Sequence, residues 1–186
     1  MPKLSSYDVI TALTGYYLPA FTTAGNKRWL ATQSFYPYTL AQSAVAVTGT
    51  ATTNEEAYAT ITVPAGVPGA NGRLLIDSMW SMTSNGNNKT LRTRFSTITG
   101  TAFSAVVLTT TATIRDLRVI ANRNSQSSQV AMADTLAGGV GTSSAAVVTG
   151  AVVTSAATTL VISGQKASAG DTLTLEAYAV LVMYGA

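Results

Sequence analysis

The 186-residue chain contains neither cysteine nor histidine. Without cysteine there is no disulfide and no thiolate metal site, and the redox compartment leaves no trace. Without histidine the usual general base near neutral pH and the commonest transition-metal ligand are both missing. Ser-His-Asp and Cys-His catalytic arrangements and zinc hydrolysis are therefore excluded by composition. Charge is scarce too: 8 carboxylates and 11 Lys or Arg make up 10% of the chain, where about a quarter is usual. Long hydrophobic runs are absent. Thr, Ser, Gly and Asn interrupt every apolar stretch well short of the ~20 residues a membrane helix needs. The opening Met1-Pro2-Lys3-Leu4-Ser5-Ser6 has no apolar signal-peptide core. The expectation is a protein made in a cytoplasm and not exported by the general secretory route.

With 47% hydrophobic residues the chain has ample material for one domain with a real core. Thr, Ser, Asn and Gln must supply most of the polar surface, which favours a β-rich assembly whose surfaces meet neighbours. The net charge of +3 is small. Its basic residues, including Arg73, Lys89, Arg92, Arg94, Arg115, Arg118 and Arg123, are scattered. No basic helix or RNA-binding aromatic signature appears, so neither nucleic acid nor membrane is an expected partner.

Residues 1–40 differ in texture from the rest. They hold Tyr7, Tyr16, Tyr17, Phe21, Trp29, Phe35, Tyr36 and Tyr38 with no clean period of 2 or 3.6. That is too aromatic for a disordered tail and predicts an arm that packs on something else, whether its own domain or a neighbour. From residue 41 onward the pattern is β. Runs over 44–50, 58–63, 72–83, 90–97, 102–108, 113–120, 129–133, 145–154, 158–162 and 171–183 are separated by turn-rich segments. About eight to ten strands without a helix predict a sandwich or barrel. Residues 138–146 read as a mobile low-complexity loop.

Two strand readings are specific. Residues 84–89 read as a hairpin loop that sets Ser81 opposite Arg92 and Met79 opposite Arg94. One face then carries Leu74, Ile76, Trp80, Met82, Leu91 and Phe95, and the other brings Asp77 within diagonal reach of Arg94. In the last strand Leu173, Leu175, Ala177, Ala179, Leu181 and Met183 share an expected core face. The opposite face ends in Tyr178, Val180 and Val182, which predicts burial on both sides, the second cover being another subunit or else the N-terminal arm folding back. The subunit is favoured, making these three candidate interface residues.

Chemistry is sparse. Asp77 and Asp116 stand beside arginines, and Glu55 and Glu56 sit in a polar loop. Asp171 and Glu176 point to opposite faces of one strand, so no tuned acid–base pair for glycoside cleavage emerges. The expectation is a protein that is not an enzyme and carries no cofactor or metal. Asn85, Asn87 and Asn88 lack a carboxylate partner for calcium and read as a turn. The run from Asn122 to Gln129 reads first as a solvated loop. Its sharper reading is a polar ladder near a symmetry axis, or a glycan-contacting surface formed by Asn122, Arg123, Asn124 and Gln126.

The segment Thr11-Ala12-Leu13-Thr14-Gly15-Tyr16-Tyr17-Leu18-Pro19-Ala20, followed by Gly25-Asn26-Lys27-Arg28-Trp29-Leu30-Ala31-Thr32-Gln33, carries a resemblance. It resembles the "ALTG-x-x-LP…G-x-K-[KR]" element that opens many bacteriophage fibre, spike and other virion-surface proteins. Residues 62–80, 89–95 and 122–125 are more loosely similar to the C-terminal domains of such proteins. The resemblance implies a virion-anchoring role for Leu13, Gly15, Tyr17, Leu18, Pro19, Phe21, Lys27, Arg28 and Trp29. It also implies an all-β fold, a single jelly-roll-like antiparallel β-sandwich (41–186) preceded by an extended N-terminal arm (1–40), assembled as a homotrimer. The expected partners are itself, a major capsid or tail-fibre protein and a host glycan, and the expected location is a virion made in a bacterial host. No heptad run or repeat forms a shaft behind the arm, which favours a capsid decoration protein or short head fibre. A tail-fibre protein reading host glycans is the alternative, and an enzyme on surface polysaccharide is the third.

Overall fold

The structure, a computed structural model, describes residues 17–20, 27–30, 37–133 and 146–185. The chain divides between Phe35 and Tyr36 into two compact units. In the first, strands β1 (Tyr17–Ala20) and β2 (Lys27–Leu30) pair antiparallel, Leu18 opposite Trp29 and Pro19 opposite Arg28. The two strands thus fall one in each half of the quoted N-terminal element. Leu13, Gly15 and Phe21 lie outside the described residues, as does all but the last residue of the loop expected at 138–146.

The second unit is all β. It contains β3 (Tyr38–Ser43), β4 (Val47–Thr48), β5 (Glu56–Val63), β6 (Arg73–Met82), β7 (Lys89–Phe95), β8 (Ala102–Leu108), β9 (Thr113–Asn122), β10 (Gln129–Ala131), β11 (Val148–Gly150), β12 (Thr158–Lys166) and β13 (Leu173–Met183). One sheet runs β11-β10-β9-β6-β13-β3, with β4 also on β13, and the other runs β5-β12-β7-β8. Every pairing is antiparallel. Set β4, β10 and β11 aside and the orders become β3-β13-β6-β9 and β5-β12-β7-β8. The chain crosses between the sheets at almost every connection, and its first strand pairs with its last. That winding is a jelly roll.

The core lies between the sheets. Inward positions alternate strictly on β6 and β7, burying Leu74, Ile76, Trp80, Met82, Leu91 and Phe95. These meet Tyr58, Ile61 and Val63 of β5, Phe103 and Val106 of β8, and Leu160 and Ile162 of β12. Tyr58 packs edge-on to Trp80 with ring centroids 5.0 Å apart. Gly164 makes room for this pair, since a Cβ there would stand 2.6 Å from Leu173 Cδ2 and 3.1 Å from the Tyr58 ring. Each fully buried Leu, Ile or Phe contributes about 1.5–3 kcal/mol by leaving water.

Two expectations need correction. The inward set of β6 and β7 is as expected, but the strands do not form a hairpin. β6 pairs with β9 and β13, whereas β7 pairs with β8 and β12. Residues 84–88 cross from one sheet to the other, so Asp77 meets Arg115 and Arg94 meets Glu55. Alternation marks the buried face of a strand but not the strand beside it. The second correction concerns β13. Its register against β6 shifts between Leu175 and Ala177. That bulge reverses the faces, as an extra residue must. Leu173 and Leu175 point inward before it, Tyr178, Val180 and Val182 after it. Val180 and Val182 are fully buried in their own sandwich and cannot form a subunit interface. Tyr178 is half-buried against the same core. The residues turned outward are Ala177, Ala179, Leu181 and Met183.

Candidate functional surfaces

Three surface regions carry side chains that could act on another molecule. The first is the outer face of the larger sheet. The register sets Leu181 beside Leu75, and Leu75 beside Val119, in one apolar row across β13, β6 and β9. Neighbouring rows are Ala179–Asp77–Leu117 and Ala177–Met79–Arg115. Met79 is 53% exposed, and Leu117, Val119 and Met183 are exposed as well. The one ion pair in these rows is clamped, Arg115 donating through Nε (2.9 Å) and Nη2 (2.6 Å) to the two Asp77 oxygens. Beside Asp77 a depression of about 500 Å3 is lined by Gln42, Ser43, Ala44, Met79 and Ala179 among others. Apolar residues gathered on an outward sheet face are a common feature of interaction surfaces.

The second region is the outer face of the smaller sheet, where the loop before β5 folds across it. Glu55 accepts from Arg94 Nε (2.6 Å) and Nη2 (2.8 Å), from Arg92 Nη1 (3.1 Å) and from Ser163 Oγ (2.6 Å). Arg94 Nη1 also donates to the Gly100 carbonyl, and Arg92 Nη1 to Gln165 Oε1 (3.1 Å). Burial pushes the Glu55 carboxyl up, but the bonds from Arg94 and Ser163 and the charges of Arg92 and Arg94 outweigh it and hold the group below the ordinary value. Glu55 read from sequence as part of a polar loop; here it fastens that loop to the sheet. The period-2 spacing of Arg92 and Arg94 was the available signal, and Glu55, distant in sequence, had none.

The third region is one end of the sandwich. Lys89 is completely buried and its ammonium donates to Asn85 Oδ1 (2.5 Å) and to the carbonyls of Asn87 (2.9 Å) and Thr109 (3.3 Å). Asp171 stands 3.7 Å away and accepts from Asn85 Nδ2 (2.7 Å) and Asn87 Nδ2 (3.1 Å). Two of the three asparagines that lacked a carboxylate in sequence, Asn85 and Asn87, receive one from the loop before β13. A tethered ammonium supplies the positive charge at the centre of these oxygens. Among the described residues no group of three metal-ligating side chains exists. Burial works against the Asp171 carboxylate, but the bonds from Asn85 and Asn87 and the Lys89 charge hold its pKa below the ordinary value.

The expected polar surface is divided. Asn122 is buried and donates to the Gly69 carbonyl (2.5 Å) and Thr154 Oγ1 (3.1 Å). It accepts from Gln129 Nε2 (3.0 Å), whose own amide closes on Val152. The Gln126 carbonyl takes the Thr154 amide and hydroxyl. Asn122 therefore ties three loops together and is not available to a glycan, a correction that follows from its inward position on β9. Arg123 and Asn124 are exposed at the turn, Asn124 in the left-handed region (φ 49°) that asparagine tolerates. Of the proposed anchoring residues, Tyr17, Leu18, Pro19, Lys27, Arg28 and Trp29 sit on the β1–β2 hairpin.

Each described carboxylate has a partner. Glu56 accepts from the Thr50 amide, Glu176 from the Ser81 hydroxyl, and Asp116 pairs with Arg118 at 2.5 Å inside the sandwich. No helix among the described residues is long and apolar enough to cross a membrane. No protein-family model and no curated protein matches the chain. Among solved structures it is similar to a chain described as "Structure of infectious bursal disease virus Gx strain", with 12% identity and a TM-score of 0.32. The match covers 100% of this chain and 40% of that one. The jelly-roll assignment rests on the strand order and not on this likeness.

Proposed function

We propose that the chain is a non-enzymatic structural protein of a bacteriophage virion, a homotrimeric capsid decoration protein or short head fibre attached through its N-terminal segment. The observation that carries this reading is the succession of the ALTG…LP…GNKR element and a jelly-roll body with no shaft between them. The apolar outer face of the larger sheet supports a body that sits against other subunits. The engagement of each described carboxylate supports a role without catalysis, because no acid–base pair stands poised. A tail-fibre protein that reads host glycans is the second reading, favoured by the exposed Arg123–Asn124 turn.

The test is immunogold electron microscopy of purified virions with antibody to residues 41–186. The expected outcome is label spread over the head. Label confined to the tail tip would transfer the protein to the receptor-binding class. Virions carrying no label would overturn the virion assignment altogether.

A further inference from the structure

The outer-surface arginines of the sandwich are not alike. Arg94 and Arg115 each close the side-on fork of Nε and Nη2 on a carboxylate of the same chain, Glu55 and Asp77. Arg92 is held another way. Its Nη1 alone donates, to Glu55 Oε2 and Gln165 Oε1, and its Nε/Nη2 edge meets no acceptor among the described residues. Neither of those nitrogens is fully buried, so the edge keeps contact with solvent. Arg73 and Arg123 are exposed, and among the described residues no side-chain hydrogen bond fixes either.

We propose that Arg92 is the centre of a binding site for the carboxylate of an acidic sugar, a uronate unit of a polysaccharide. Three properties carry the assignment. The cluster holds two guanidinium groups against one carboxylate, leaving a surplus positive charge. The Arg92 side chain is only 19% exposed, so its rotamer is fixed before any ligand arrives and its bonds form in a partly dry setting. The open edge matches two coplanar oxygens, the geometry of a carboxylate. The surroundings select a sugar. Thr90, the preceding outward residue of β7, has a hydroxyl with no hydrogen bond among the described residues, and Gln165 lies opposite it in register. On β8 the outward neighbours are Ala105 and the 53% exposed Val107, which leave room and offer a flat apolar surface to a ring's C–H face. Hydroxyl, amide and small apolar groups on a flat sheet suit a pyranose. A protein partner's anchor residue would call for large apolar side chains around the arginine, whereas its cross-strand neighbours are Ala105 and Ser163. The inference concerns the sandwich alone and stands whether or not the virion reading holds.

The test uses the full-length 15N-labelled protein and follows the arginine Nε–Hε signals during titration with sodium D-glucuronate, with sodium acetate and D-glucose as comparators. The Arg92 signal should move saturably with glucuronate and not with glucose, and glucuronate should bind about tenfold more tightly than acetate. Arg92→Lys keeps the charge and removes the fork, so it should weaken glucuronate binding at least about tenfold, the effect of one lost charge-assisted bond. Thr90→Val leaves Glu55 and its arginines untouched and should weaken glucuronate but not acetate. An Arg92 signal that ignores glucuronate, or an Arg92→Lys protein that binds as tightly as the native one, would overturn the site. Equal affinity for acetate and glucuronate would overturn the sugar.

Discussion

At the scale of single residues, the chain spends its few charges on fixing loops. Glu55 draws the loop before β5 onto two arginines, and Lys89 draws three loops onto one ammonium. The acid behaviour of Glu55 follows from its sign. Its folded pKa lies below the ordinary 4.5, so the folded state binds fewer protons than the unfolded one in that range. The stability it contributes is fully present above the unfolded pKa and is lost as pH falls through the folded value. Urea unfolding should therefore give a flat stability down to about pH 5 and a decline below it. Glu55→Gln should cost about 1–2 kcal/mol at pH 7, a figure kept modest by the partial exposure that all three side chains retain, and should flatten the acid decline. Parallel pH curves for native and variant would remove Glu55 from the acid response. None of this was legible in the sequence, where Glu55 lies 37 residues from Arg92 and 108 from Ser163.

At the scale of elements, legibility follows from the range of the physics involved. The inward residues of β6 and β7 could be read because alternation is local, a property of each strand's own pleat. Their partners could not, because a connection such as 84–88 serves a hairpin or a crossing between sheets equally well. The bulge in β13 was hidden for a different reason. Both faces of this strand are apolar beyond Glu176, so reversing them leaves the hydrophobic pattern unchanged. Mutation separates the faces. Val180→Asp puts a charge into a fully buried site and should prevent folding, a loss above about 4 kcal/mol read as an absent melting transition. Leu181→Asp points outward, should keep the melting transition within about 1 kcal/mol of native, and should lower the oligomeric mass in light scattering if that face joins subunits. A folded, dissociated Val180→Asp protein would reverse the face assignment.

At the scale of the molecule, the jelly roll joins its chain ends by design, since β3 at the start of the second unit pairs with β13 at its end. The sandwich unit begins at Tyr36. Deletion of residues 1–35 should therefore leave the melting temperature within a few degrees of native, while deletion through Ser43 removes β3, bares one edge of β13 and should lower it by about 10 °C or more. Equal melting temperatures for the two truncations would deny β3 its part in the fold. Sequence alone gave the class of the fold, through turn residues spaced between β-branched runs. Its jelly-roll winding was expected only through the family resemblance and not from periodicity, because strand order depends on pairings between residues as distant as Tyr38 and Val182.

The ammonium of Lys89 has one consequence for how the sandwich meets its surroundings. A clasp built on a bound divalent cation opens when the free ion falls below its dissociation constant. Here the cation is carried on the polypeptide, and its local concentration is set by four methylenes and not by the medium. Dilution, dialysis or a chelator removes nothing, so this end of the sandwich stays closed alike in ion-rich cytoplasm and in rainwater.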